Sequence, residues 1–390
     1  MSTVQKQPTL VVLQLTGGND ALNTIVPYGD GLYYDNRRTV RIPEEEVLPI
    51  DNRFGFHPAM HAIKPFWDEG KMAIIAGVGY PNPNYSHFRS MDIWYTCEPD
   101  KIATDGWLGK AVREIDPRAE NVLTAVNFGR GLPRALSLAG VPVASVAQLD
   151  SYGLLTSLSS VSQRQSALEV FSCLYDDGWN DQGLSPTETL EPARSGDEVL
   201  RYTGQTGLDA QKGADILRTA LGKYHSDVHY PKNPIAENLK GIAQVKLAGL
   251  GTRVFYTSHG TFDTHATQLP THAKLWQEVS EGIAAFFEDL HAHDAADDVM
   301  LLIWSEFGRR VKDNGAGTDH GAGSVALILG EHVKGGMYSE YPSLKQSDLT
   351  LGNLKYNVDF RSTYATILDR WMQIEAEPIV NGKFEEFAIV

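Results

Sequence analysis

A chain of 390 residues, 42% hydrophobic and 21% charged, has the composition of a folded globular protein with a sizeable core, which excludes a largely disordered chain. Its formal net charge of -15 leaves no electrostatic footprint for nucleic acid or an anionic membrane, and suits a solvated acidic surface or carboxylates gathered around metal ions. Two cysteines, Cys97 and Cys173, with no CxxC spacing, exclude a disulfide framework and a zinc ribbon.

The opening "MSTVQKQPTL" lacks the basic-then-apolar pattern of a signal peptide. "TLVVLQL" (9–15) is too short to span a membrane. The expectation is a soluble, cytoplasmic protein as given, or an exported one if a signal has been removed. In chain order, "TLVVLQL" reads as a buried strand that stops at "TGGND". "HPAMHAIKPFWDEG" (57–70) has apolar residues at helical spacing and ends in Gly. "KMAIIAGVG" (71–79) is a second strand, ending at "YPNPN", and "HFRSMDIW" after Ser86 has helical character. Residues 150–240 are rich in Ser, Gln, Gly and Asp, with helical pieces in "SVSQRQSALEVFSCLYDD" and "GADILRTALGKYHS"; they read as a helical insertion beside the sheet. Three further strands follow, "RVFYTSHG" (253–260), "DDVMLLIW" (297–304) and "SVALILG" (324–330). Long helices are expected over 269–293 and 359–372.

Fully apolar strands alternating with helices imply α/β architecture: a three-layer αβα sandwich with a mostly parallel central sheet. One domain accounts for residues 1–390, with its core from about 8–150 and 240–380. In such sheets ligands gather at the carboxyl ends of the strands. Four of those ends carry polar clusters: Asp20, then Ser86 and His87, then Asp263 and His265 in "DTH", then Glu306 followed by Asp319 and His320 in "TDHG".

Asp, Glu and His together form the ligand set of transition ions. Asp263 and His265 stand two residues apart, so an extended segment places them on one face. Asp319 and His320 are adjacent, so one binds an ion and the other orients it. Ser86 sits where a helix begins, which suits a simple cap or a nucleophile facing an anionic substrate. Arg89 lies one turn on, within reach of an oxyanion. Arg309 and Arg310 offer guanidinium groups to oxyanions, or form a solvated ion-pair cluster. Asn19 and His259 complete the candidates on the substrate side, and Asp20 equally suits a turn.

Taken in order, "LTGGND", "PNYSHFRSMDIW", "FDTHATQ", "WSEFGRR" and "TDHGAGS" resemble the DUF1501 family of bacterial proteins, over about residues 8–375. That family is assigned to the alkaline-phosphatase-like superfamily of phosphatases, sulfatases, phosphodiesterases and cofactor-independent phosphoglycerate mutases. The resemblance implies a two-metal site in which Asp20, Asp263, His265, Glu306, Asp319 and His320 are ligands or their supports. Ser86 then matches the nucleophile, and His87 is a ligand or general base. "SEF" stands where the superfamily carries an Asp-His pair, which leaves one ion or two. Neither Ser86 nor Cys97 lies in the C/S-x-P-x-R setting of formylglycine sulfatases.

The function this implies is metal-dependent hydrolysis of a small-molecule phosphate or sulfate ester. One or two divalent ions would serve it, Zn or Mn in preference to Mg or Ca. Neither nucleic acid nor membrane is expected as a partner. Two alternatives stay open: a binding or assembly protein with an eroded site, and a metal-dependent phosphotransferase or isomerase.

Overall fold

The computed structural model describes residues 7–147, 149, 163, 213, 216–217, 222 and 224–390. The insertion expected over 150–240 therefore falls mostly outside the described residues, including nearly all of its two helical pieces. Its end is described, and Pro234–Leu247 there forms a helix.

The main sheet is built from β1 (Thr9–Thr16), β2 (Met72–Gly79), β3 (Ala125–Phe128), β4 (Ala144–Val146), β5 (Val254–Gly260), β6 (Val299–Trp304), β7 (Ser324–Leu329), β8 (Gly336–Met337) and β9 (Val358–Asp359). Among the described residues the order is β8-β2-β7-β6-β1-β5-β3-β4, with β9 also on β2. All pairings are parallel except those of β7, which runs antiparallel to both β2 and β6. The mostly parallel sheet is thus as expected, and its one reversal has a consequence. Residues 305–323 leave the carboxyl end of β6 and re-enter the sheet at the same edge.

Alternation along β1 shows why apolar residues stand on both faces of the strands. Val11, Leu13 and Leu15 join the core on one face, while Leu10 and Val12 join that on the other. The first face is covered by Pro234–Leu247 and by Gln268–Ala292, whose Trp276, Val279, Ile283, Phe286 and Leu290 recur at helical spacing. The second is covered by α1 (His87–Thr96), by Trp107–Ile115 and by Phe360–Thr366. These make three layers.

Two expected helices change form. Residues 57–70 give a 3-10 turn at Pro58–Met60 and a short helix at Lys64–Asp68, because Pro58 and Pro65 cannot donate within a continuous helix. The last one runs as α-helix over Phe360–Thr366 and as π-helix over Ile367–Met372. Strands β3 and β4 escaped the sequence reading, being four and three residues long and interrupted by Asn127 and Ser145.

Candidate metal centre

The site begins with the glycines of "TGGND". Gly17 and Gly18 have φ of +104° and +75°, which side-chain-bearing residues rarely adopt. A Cβ on Gly17 would lie 2.6 Å from Asp263 N, so the loop after β1 presses against the loop after β5. Gly18 lies against the ring of Phe307. Phe307 is buried and supports both His87 and His320, with ring centroids 4.9 and 4.8 Å away. Phe307 thus forms an aromatic wall of the site.

Against that wall three histidines converge on Asp263. His87 Nδ1 lies 2.9 Å from Glu306 Oε1, which also accepts the Gly17 N–H at 2.8 Å. His265 Nδ1 lies 3.2 Å from Asp319 Oδ1, and His320 Nδ1 lies 2.7 Å from the Tyr85 carbonyl. Carbonyls and carboxylates accept, so all three Nδ1 atoms donate. In the neutral imidazoles each Nε2 then carries a lone pair.

Those lone pairs face one another and a carboxylate. His265 Nε2 and His320 Nε2 are 3.0 Å apart, and lie 3.0 and 3.2 Å from Asp263 Oδ1. His87 Nε2 is buried without a hydrogen bond, 3.5 Å from Asp263 Oδ2. Donor atoms of His87, Asp263 and His320 all lie within 4.8 Å of one another. Arg309 stands at the edge of this group, donating to Asp263 Oδ1 and lying 3.5 Å from His265 Nε2, while the unpartnered His87 Nε2, His320 Nε2 and the Asp263 carboxylate make up a donor set that fits a metal ion. Imidazole nitrogens with one carboxylate, each imidazole held by a fixed acceptor behind it, match the donor set of a transition ion.

The surrounding charges shift these groups in different directions. The hydrogen bond to Glu306 raises the His87 pKa, opposed by burial. Burial lowers that of His320. Burial would raise Asp263, but the hydrogen bond and charge of Arg309, with His320 and His265, hold it below the usual carboxylate range.

Of the residues expected at the site, Asp263, His265 and His320 are therefore brought together, with Asp319 behind His265. His87 joins them through Nε2. Glu306 does not reach the cluster; buried at 1% exposure, it fixes His87 and the Gly17 amide. Asp20 is committed elsewhere. Its two oxygens accept from Arg37 at 2.5 and 2.9 Å, and Gln268 donates to it at 2.5 Å. Arg37 was not singled out from the sequence, since nothing local marks which of the arginines will be buried beside Asp20.

The substrate-side candidates are largely scaffold. Arg309 is fully buried and donates to the carbonyls of Gly17, Gly18, Phe262 and Thr318 as well as to Asp263, tying three site loops together. Arg89 donates to the carbonyls of Glu98, Pro99 and Lys101 and so clamps the loop after α1, not an oxyanion. Asn19 accepts from His272 and Trp276, which fixes the β1 exit loop to the long helix. His259 packs 3.0 Å from Glu278, outside the cluster. Arg310 is exposed, and its charge helps lower the Asp319 pKa behind the Asn314 and His265 hydrogen bonds. Ser86 is exposed at the N-cap of α1, and its hydroxyl makes no capping bond.

Fold and site together define a three-layer α/β protein with a His/Asp cluster at the carboxyl edge of its sheet. Residues 191–381 match the model of the family described as "Protein of unknown function (DUF1501)", the family reached from the motifs. No curated protein matches the chain. Among solved structures, a sulfatase from Pseudoalteromonas sp. is similar at 12% identity and a TM-score of 0.44, over 98% of this chain and 71% of that one. A 2-O GAG sulfatase is similar at 11% identity and 0.37, over 97% and 76%. A variant of alkaline phosphatase PafA is similar at 10% identity and 0.33, over 79% and 64%.

Proposed function

We propose that this protein is a metal-dependent hydrolase of phosphate or sulfate esters. One observation carries the metal half of the reading: donor atoms of His87, His320 and Asp263 lie within 4.8 Å of one another, with His265 Nε2 3.0 Å from His320 Nε2 and the Nδ1 atoms of all three histidines donating to fixed acceptors. His87, Asp263, His265 and His320 are the ligands under this reading, and zinc or manganese fits the nitrogen-rich set better than magnesium or calcium. The bound ion would supply Lewis acidity to the ester oxygens. The ester class follows from the motif resemblance.

Ser86 is the nucleophile in this reading. It immediately precedes the ligand His87, and its hydroxyl is not spent on capping. The ten-residue helix α1 turns its free N-terminal amides toward an anion bound there. As the Ser86 hydroxyl gives its proton to solvent, Oγ bonds to phosphorus or sulfur and the P–O or S–O ester bond breaks, the alcohol leaving with a proton from water; a second water then cleaves the bond to Oγ, releasing phosphate or sulfate and restoring the hydroxyl. Arg310, exposed beside Asp319, is the cation available at the rim.

The test pairs metal content with turnover on a panel of phosphate monoesters, diesters and sulfate esters. Chelation is expected to abolish hydrolysis and zinc or manganese to restore it, while Ser86→Ala is expected to lower kcat by at least about 100-fold. Hydrolysis indifferent to chelator refutes the metal role, and an unimpaired Ser86→Ala refutes the nucleophile. The diversion of Asp20 and Arg89 into scaffold favours a second reading, a binding protein with an eroded site; it predicts metal uptake without turnover on any of these esters.

A further inference from the structure

Resting on the metal-dependent reading above, we propose that the centre holds a single divalent ion, and that buried guanidinium groups have taken over the charge balance that a second ion would provide. A second ion needs a carboxylate with a free oxygen, and the two buried carboxylates at the strand ends, Asp20 and Glu306, have both oxygens engaged by protein donors. Asp20 is paired in bidentate fashion with Arg37, both side chains at 0% exposure, and also accepts from Gln268. Glu306 is held by the Gly17 amide, His87 and Ser305. Asp319 accepts from His265 and Asn314.

The two buried cations are permanent and cannot be displaced cheaply. Arg37 donates as well to the carbonyls of Val311 and Arg310, so it is locked at both ends of the guanidinium. An ion bound to Asp20 would sit beside that positive charge with little water to screen it. Arg309 plays the same part at Asp263, occupying Oδ1 while Oδ2 faces the unpartnered His87 Nε2. Among the described residues, the donor atoms that close to within 4.8 Å of one another are those of His87, Asp263 and His320, one set and not two. Glu306, the residue standing at the second ion's expected ligand position, becomes a positioning residue for His87.

Native mass spectrometry and a cobalt(II) titration followed by its visible bands test this on the full chain. The expected result is saturation at one equivalent per chain. His87→Ala and His320→Ala lose the ion at equimolar metal. Glu306→Gln keeps one equivalent but binds it about 10- to 100-fold more weakly, and Asp20→Asn keeps both stoichiometry and affinity. Saturation at two equivalents, or loss of an ion in Asp20→Asn checked for folding by circular dichroism, overturns the single-ion inference and leaves the metal-hydrolase reading standing. A wild-type chain that binds no ion overturns both. The wild-type breakpoint decides the question even if Asp20→Asn does not fold.

Discussion

Replacing Arg37 with methionine removes one half of a fully buried ion pair and leaves Asp20 charged in the core. Arg37 and Asp20 are each 0% exposed, and among the described residues Gln268 is the remaining side-chain donor to the carboxylate. Breaking such a pair costs about 3–5 kcal/mol, because the surviving charge keeps its desolvation penalty. The pH dependence has a definite sign. In the wild type, burial pushes the Asp20 pKa up, but the charge and hydrogen bonds of Arg37 prevail and hold it below the usual value. Its stabilisation is thus complete above the unfolded-state pKa of about 3.9 and is lost as pH falls through the lower folded value. In Arg37→Met burial is opposed only by the weaker effects of His272 and the Gln268 hydrogen bond, and the folded pKa rises, so the penalty is present at neutral pH and is relieved as Asp20 takes up a proton. Urea unfolding of both proteins, followed by circular dichroism from pH 8 down to about pH 4, reads the difference. The gap should be widest at neutral pH and narrow on acidification, and the double variant Arg37→Met/Asp20→Leu should recover most of it. A loss below about 1 kcal/mol at neutral pH, the size of an exposed pair, would refute the buried-pair reasoning. So would a gap that does not change with pH.

Two further outcomes follow from the same geometry. Gly18→Ala forces a Cβ into the Phe307 ring from a backbone at φ +75°, and should cost at least about 1–3 kcal/mol while weakening metal binding through the displaced ring; an unchanged melting temperature and metal affinity would show that the loop has room. Arg89→Ala frees three carbonyls in the 98–101 loop, so amide exchange there should speed up and stability should fall by about 1.5–3 kcal/mol, with the metal equivalents unaltered; lost metal would place Arg89 in the site after all.

Much of the architecture was legible because it rests on local pattern. β2 and β6 are unbroken apolar runs and β1, β5 and β7 each contain one, a pattern that suits a sheet covered on both faces. The chemistry of the strand ends was legible for the same reason. Asp263, His265 and His320 are unusual residue types among glycines, at the edge where parallel sheets collect ligands. Short strands such as Ala125–Phe128 were not legible, since four residues carry too little pattern to separate a strand from a loop.

What the amino-acid sequence determined by itself, then, was the layered α/β fold and the kind of atoms that would meet at its carboxyl edge. Only the tertiary structure decided how those atoms are shared out. Asp20 and Glu306 are both carboxylates at strand ends, yet one met Arg37 and the other met His87, 219 positions away in the chain. Glu306 takes the Nδ1 of His87 and leaves its Nε2 unpartnered, 3.5 Å from Asp263 Oδ2. The reversal of β7 brings His320 back beside His265. A carboxylate is equally satisfied by a guanidinium, an imidazole or an ion, and the choice belongs to whichever partner the packed chain delivers within 3 Å or so.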